Sequence, residues 1–398
     1  MNILILALEE DFALVLLRAL KSSGMRCYVW GVEGFYSVQL SRYCRGYAGS
    51  ARSEFTNPSQ GSISRINRLC DKKKIDLVLA ADVGGAQLLS KIRDSISPAV
   101  KIFPTAASSQ LEMLHNKWKF ACFLKNNSIL SPRTALLSGP EDIRCLNFTY
   151  PVIVKPLDLC NGQGVRRFDS YRELARYISH KGRYNKPPLI VQEYIPGEDI
   201  DLNILAENGR ILVYSVQKWL SAEKMRFVTH KEAVDTGRRI VARCGYTGVV
   251  HFDMRIDSRN NSVKVIECNP RFWGSLKASH WNGVDFLGSG IKLARGERLQ
   301  ENHAQGMVTY ILPDKALRRV IRGDLSILRD MPRETARDIR DIIFDPLSSA
   351  AHFLGMALKT GSGFWVLGSG KGTVTKDEAQ LQSSPQTTVH GPQTKTMG

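Results

Sequence analysis

The stretch Val263-Lys264-Val265-Ile266-Glu267-Cys268-Asn269-Pro270-Arg271 decides how this chain is read. Alternating apolar residues make it a strand, and strand alternation puts Glu267 and Asn269 on one side. A carboxylate and an amide oxygen two residues apart suit a hard cation such as Mg²⁺. Pro270 ends the strand, and Arg271 just beyond it can fork onto phosphate oxygens. Cys268 points to the opposite face and reads as core. Upstream lies His251-Phe252-Asp253. Reading 248–256 and 263–267 as a hairpin across 258–262 brings Asp253 beside Glu267. Two carboxylates, an amide and an arginine at one sheet end point to metal–phosphate chemistry. His251 shares a strand face with Asp253, which leaves open both a contact to phosphate or substrate and a structural hydrogen bond.

Further upstream, Val152-Ile153-Val154 ends in Lys155-Pro156. A lysine closing a buried β-branched strand is costly unless its ammonium meets an anion or water. Gly162-Gln163-Gly164 follows, in a loop over 158–164. Alone it is a tight turn; beside Lys155 its backbone N–H groups can close over phosphates. In Gln192-Glu193-Tyr194-Ile195-Pro196-Gly197-Glu198-Asp199 a strand breaks and resumes. The exposed backbone there can read an adenine edge, and Glu198 or Asp199 can take ribose hydroxyls.

The organisation changes along the chain. Strands at 3–8, 26–30, 75–81 and 100–103 alternate with helices at 12–21 and 62–73, which argues a parallel, open α/β sheet. The first strand-to-helix turn, Ala7-Leu8-Glu9-Glu10-Asp11, has no glycine, so a nicotinamide or flavin dinucleotide is disfavoured. The middle is α+β. One amphipathic helix is expected over 111–125, others over 171–179 and 231–244, and a hairpin turning at Asn208-Gly209. Residues 314–341 carry eight basic and six acidic groups, a pattern that reads as solvated surface helix. From Lys371 on, the chain is Thr/Gln/Ser/Pro/Gly-rich and reads as a disordered tail.

Composition narrows the function. The 398 residues carry a net charge of +17 and a pI near 9.6. The excess is spread out, with no basic patch or tail, so nucleotide-sized anions fit better than nucleic acid. The eight cysteines include no C-x-x-C pair and no companion histidine cluster, which argues against a zinc site and for reduced thiols in the cytoplasm. The N-terminus lacks a basic leader region, and no run of about 20 apolar residues exists for a membrane span.

Taken in order, Lys117, Lys155, the glycine loop, QEYIPGED, FDMRID and ECNPR resemble the ATP-grasp superfamily, of the carbamoyl-phosphate-synthase large-chain-like type. The ending NPRFWGS is similar to that of ATP-dependent carboligases. The resemblance covers about residues 1–300. It implies an α/β plus α+β chain: a Rossmann-like domain over 1–105 and a two-subdomain ATP-grasp fold over 106–300, to which the residue pattern adds a small helical extension over 301–370 and the disordered tail over 371–398. It further implies that Lys117 and Lys155 touch ATP phosphates and that Gly162 and Gly164 belong to a mobile loop. Gln192 or Glu193, with the backbone of Tyr194 and Ile195, would read adenine. Asp199, with Glu198 as neighbour, would hold ribose. Asp253, Glu267 and Asn269 would ligate Mg²⁺, with Mn²⁺ as an alternative. Arg271 would stabilise the transferring phosphoryl group, and Lys218 is a candidate to reach the γ-phosphate. Two departures stand out: Asn116 where the family has Asp before its lysine, and Leu159-Cys160-Asn161 where relatives carry a Ser/Gly-rich loop.

The implied reaction is ATP- and Mg²⁺-dependent ligation of a carboxylate to an amine through an acyl phosphate. Two alternatives remain: a carboligase or phosphotransferase on the same fold, and a non-catalytic nucleotide-binding protein. The expected partners are small-molecule carboxylates and amines, with neither nucleic acid nor membrane, and a homodimer is left open.

Overall fold

The computed structural model describes residues 1–159, 162–180, 182, 184–304 and 306–361. The tail from Lys371 and the Cys160–Asn161 part of the glycine loop lie outside the described residues.

The leading sheet has five parallel strands: β1 (Asn2–Ala7), β2 (Arg26–Val32), β3 (Cys44–Ser50), β4 (Leu77–Ala80) and β5 (Lys101–Ile102), in the order β3-β2-β1-β4-β5. β1 is buried almost end to end because helices cover both faces of a parallel sheet. The central strand and the short β4 both read as unbroken apolar runs for that reason. β3 was not expected. Its sequence, Cys-Arg-Gly-Tyr-Ala-Gly-Ser, lacks the β-branched residues that mark a strand, and pairing with β2 alone makes it one.

A second sheet contains β6 (Thr134–Leu137), β7 (Val152–Pro156), β8 (Arg166–Phe168) and β9 (Leu189–Glu193), ordered β6-β9-β7-β8 with antiparallel neighbours. The third and largest holds β10 (Gly197–Glu207), β11 (Arg210–Trp219), β12 (Lys224–Val228), β13 (Gly248–Asp257), β14 (Val263–Asn269), β15 (Asn302–His303) and β16 (Thr309–Ile311). Its order is β14-β13-β10-β11-β12-β16, with β15 beside β11. Both expected hairpins are present. Asn208 and Gly209 both take positive φ, the backbone a two-residue hairpin turn requires.

The structure corrects three expectations. The single helix over 111–125 is two, Ser108–His115 and Lys117–Asn126. Asn116 leaves the helical region, and its side-chain oxygen accepts from the backbone N–H of Trp118 and Lys119. An asparagine competes for backbone donors, so it starts a new helix rather than continuing the old one. The extension after residue 300 is not purely helical, since 302–303 and 309–311 add strands to the large sheet. Nor is 314–341 solvated throughout, although most of its residues are exposed or half-buried. Asp338 and Asp341 are buried, and Lys277 Nζ lies 2.5 Å from an oxygen of each. Asp341 also pairs with Lys21 of the leading region, and buried Asp345 accepts from Ser41 Oγ at 2.6 Å and Arg42 N at 2.8 Å. These helices are thus tied to the leading region and, through Tyr310 and Ile311, to the last strand of the large sheet. No described helix is long and apolar enough to cross a membrane.

Candidate active site

The register of the large sheet builds two polar rungs across four strands. Gln217, Asp201, Asp253 and Glu267 stand side by side on β11, β10, β13 and β14. Ser215, Asn203, His251 and Asn269 form the next rung. Because strand residues alternate faces, both rungs lie on one side, while Leu202, Phe252 and Cys268 between them face the core. The carboxylates of Asp253 and Glu267 therefore meet as the hairpin reading required. The β11 and β10 members were missed. Their signal was available: Asp201 and Asn203 are polar at alternate positions within the otherwise apolar run Ile200–Leu205.

Cations reach Glu267 from elsewhere in the chain. Lys117 is the first residue of its helix, set there by the Asn116 cap. Its ammonium lies 3.2 Å from Glu267 Oε1 and donates to the Leu159 carbonyl at 2.5 Å. Lys155, at the end of β7, lies 3.7 Å from Glu267 Oε2. Both lysines are buried. Burial pushes the Lys155 ammonium below its ordinary range, and the Glu267 carboxylate opposes that shift. Burial also pushes His115 down to about 4, helped by the neighbouring Lys117 charge.

A second chain of contacts starts at Asp253. Asn269 Nδ2 donates to Asp253 Oδ2 at 2.8 Å, and Arg271 Nη2 donates to Asn269 Oδ1 at 3.1 Å. Arg271 Nη1 donates to the Phe272 carbonyl at 2.7 Å, and its guanidinium sits 4.1 Å from the Phe12 ring centroid. The sheet end is thereby held against the first helix of the leading region. Burial works against charge on Asp253, but the His251 imidazole outweighs it and leaves the carboxyl below its ordinary value. Burial lowers and Asp253 raises His251, with a net rise. Phe272 and Trp273 are buried packing residues.

The strand break around Pro196-Gly197 forms a separate group. Glu198 pairs with Lys218 at 2.6 Å, and Asp199 with Arg255 at 3.0 Å. Arg167 and Arg255 stand over the Tyr194 ring at 4.6 and 5.8 Å. Gln192 is buried and donates to Thr134 Oγ1 at 3.0 Å, while Glu193 pairs with Arg259 at 2.8 Å. Burial pushes the Glu193 carboxyl up, but the Arg259 hydrogen bond, the Arg133 backbone N–H and the Lys264 charge together outweigh it and leave a net fall. Ile195 is buried. Sequence reasoning missed Arg167, Arg255 and Arg259, since isolated arginines on strands and turns carry no spacing signal. Gly162 and Gly164 both have φ of +72°, and a Cβ on Gly164 would come 2.8 Å from Pro156 Cγ. That loop runs close over the end of β7, where only glycine fits.

The donor set suits magnesium. Asp253, Glu267 and Asn269 offer oxygen ligands from neighbouring strands, which is what a hard, small dication takes. The two lysines and Arg271 around them supply positive charge for a polyphosphate.

Comparisons with known proteins agree with this geometry. Residues 185–312 match the family model described as ATP-grasp in the biosynthetic pathway with Ter operon. The carbamoyl phosphate synthase large chain of Thermoanaerobacter sp. (strain X514) is 21% identical over 236 residues, covering 55% of this chain and 22% of that one. The chain thus spans about a fifth of the length of that relative. Among solved structures, N5-carboxyaminoimidazole synthetase from Staphylococcus aureus aligns with TM-score 0.59 at 13% identity, covering 81% of this chain and 86% of that one. L-amino acid ligase from Bacillus licheniformis aligns with TM-score 0.55 at 16% identity, covering 74% and 73%. Strand register, the family match over 185–312 and the structural likeness agree on one fold: the ATP-grasp fold, preceded by a parallel α/β sheet.

Proposed function

We propose that this protein is an ATP- and Mg²⁺-dependent ligase joining a small carboxylate to an amine through an acyl phosphate. One observation carries the reading. Two buried ammonium groups, from a helix start and a strand end, share the single carboxylate of Glu267 beside Asp253, Asn269 and Arg271. Buried cations in that number are expensive without an anion to meet. The relatives named above, a carbamoyl phosphate synthase chain and an L-amino acid ligase among them, support the same class of chemistry. Residues 1–105 serve as the leading domain, 106–300 as the nucleotide clamp, and 301–370 as an extension that also completes the large sheet. The seven described cysteines are free, which supports a reducing, cytoplasmic setting.

A carboxylate is a poor electrophile because oxide would have to leave. Transfer of the terminal phosphoryl group of ATP to a carboxylate oxygen gives an acyl phosphate and ADP. The amine then attacks the carbonyl carbon, the C–O bond to phosphate breaks, and amide and inorganic phosphate are released with a proton. Asp253, Glu267 and Asn269 would hold Mg²⁺, which supplies charge neutralisation when bound. Lys117 and Lys155 bind phosphate oxygens, and Arg271 meets the charge that develops at the reacting centre. Such preorganised cations stabilise the transition state without reorganising. Gly162 and Gly164 let the loop close and exclude water, which would otherwise hydrolyse the acyl phosphate. Gln192, Glu193, Tyr194 and Ile195 would frame adenine, with Asp199 and Glu198 at the ribose. Lys218 reaches the γ-phosphate only by leaving Glu198.

The test is ADP release across a panel of carboxylic acids and amines, with hydroxylamine as a trap. An acyl hydroxamate is expected. Arg271→Ala should lower turnover by about 10²–10³. A phosphorylated product without hydroxamate would make it a phosphotransferase, and nucleotide binding without ADP release would make it a non-catalytic binder.

A further inference from the structure

The helix Arg333–Ile343 sorts its charges by side. Along the sequence Arg337, Asp338, Arg340 and Asp341 alternate in sign, so no basic patch is visible there. In the fold Asp338 and Asp341 turn inward, buried against Lys277 and Lys21. Arg333, Arg337 and Arg340 recur three and four residues apart, which is one side of a helix, and all three are exposed. Arg337 lies over the Trp281 ring at 5.3 Å, and no carboxylate among the described residues forms an ion pair with any of the three.

Large apolar side chains continue the cationic side. Ile343 and Phe344, one turn beyond Arg340, are 60% and 54% exposed. On the next helix, Pro346–Gly361, Leu347 and Leu354 stand two turns apart and are 65% and 63% exposed. A turn of the leading region meets the joint between the two helices: Arg42 Nη1 donates to the Phe344 carbonyl at 3.0 Å and Arg42 N to Asp345 at 2.8 Å. That turn brings two more exposed residues to the joint, Leu40 and Arg42. Single exposed apolar residues need no partner, but a run of them rimmed by cations marks an interaction surface. Charge decides which partner fits. In a two-fold dimer the patch would face itself and set arginine against arginine. Nucleic acid offers phosphates but no apolar phase for Ile343, Phe344 and Leu347. An anionic bilayer offers both, phosphate oxygens for the guanidinium forks and an acyl boundary for the apolar side chains. No described helix spans a membrane, and a peripheral contact needs none.

We propose that the outward side of the helices Arg333–Ile343 and Pro346–Gly361, with the Leu40–Arg42 turn, docks the protein on anionic lipid membranes. Arg333, Arg337, Arg340 and Arg42 bind headgroup phosphates, while Phe344 and Leu347 enter the acyl boundary. None of these residues belongs to the nucleotide site. The proposal goes beyond the ligase reading and does not need it, since docking is read without nucleotide.

The experiment sediments the full chain with vesicles of phosphatidylcholine alone, and of phosphatidylcholine and phosphatidylglycerol in equal parts. The protein should pellet with the mixed vesicles only, and less so as salt screens the arginines. Arg337→Gln with Arg340→Gln should weaken binding roughly 30-fold, from about a 1 kcal/mol contribution per cation near the surface. Phe344→Ala with Leu347→Ala should weaken it at least about tenfold. Arg68→Gln with Arg243→Gln removes two exposed cations from other helices, and should change binding less than about threefold. Near-ultraviolet circular dichroism confirms that each variant is folded. Four results overturn the proposal. The wild-type chain does not pellet with the mixed vesicles. The Arg68 and Arg243 pair costs as much as the Arg337 and Arg340 pair, so that whole-chain charge explains binding. The folded Phe344 and Leu347 variant binds unchanged, which fits a soluble polyanion or another part of the chain on this surface. Sedimentation velocity finds a wild-type dimer that the same variant makes monomeric, which puts a second copy there.

Discussion

Replacing Glu267 by glutamine tests the centre of the site without any substrate. The side chains of Lys117 and Lys155 are only 3% and 4% exposed, and Glu267 is their shared counter-charge at 3.2 and 3.7 Å. The Glu267→Gln change preserves shape and removes charge. Breaking a buried ion pair by removing one partner costs about 3–5 kcal/mol, because the remaining charge stays buried. The Glu267 side chain is 17% exposed, which favours the lower end, near ~3 kcal/mol. Urea unfolding of the nucleotide-free protein, followed by near-ultraviolet circular dichroism, reads that loss directly. Inorganic tripolyphosphate without divalent metal should then restore more stability in the variant than it adds to the wild type. In the wild type the anion must compete with Glu267 for the same ammonium groups; in the variant it does not. A variant within about 0.5 kcal/mol of wild type, the ordinary effect of a surface substitution, would refute the shared-carboxylate reasoning. An equal gain from tripolyphosphate in both proteins would refute the docking of phosphate on these lysines.

Other perturbations follow from single contacts. Gly197 has φ of +135°, and a Cβ there would lie 1.9 Å from the Ile256 carbonyl oxygen, so Gly197→Ala should cost more than about 2 kcal/mol by thermal melting and weaken nucleotide binding as Glu198 and Asp199 shift. Asp345→Ala leaves Ser41 and Arg42 N without their acceptor, and should cost about 2 kcal/mol and speed proteolytic cleavage within 313–361. His115 is held neutral, pushed to about 4 chiefly by burial, whereas an unfolded histidine titrates at its ordinary value of 6.5. The unfolded state therefore binds the extra proton between those values. The stability contribution is complete above pH 6.5 and falls by on the order of 2–3 kcal/mol as pH drops toward 4. His115→Gln should flatten that part of the pH–stability curve, and an unchanged curve would mean the imidazole is free to protonate in the folded chain.

Much of the site was legible because its parts sit on regular strands. Period-2 alternation assigns faces without coordinates, so Glu267, Asn269 and Asp253 could be paired across a hairpin from spacing alone. Lys155 betrayed itself as a charge ending a β-branched run. The failures share a different cause. β3 is a strand only because β2 lends it hydrogen bonds, and Asn116 divides a helix through a side-chain cap that competes with an otherwise continuous amphipathic pattern. The charge-dense helices at 313–343 look solvated in one dimension. Lys21 and Lys277, hundreds or tens of residues away, bury two of their aspartates.

The amino-acid order alone therefore determined the local grammar: where the strongly patterned strands run, which faces they present, and which oxygens and cations wait at the sheet ends. It does so because backbone periodicity and turn chemistry act over a few residues. Only the folded chain decided who meets whom across long separations: Lys117 and Lys155 on Glu267, Phe12 beneath Arg271, and Asp201 opposite His251 and Asp253. Those encounters depend on strand order and register, which are set by the packing of whole sheets and which no short stretch of sequence encodes.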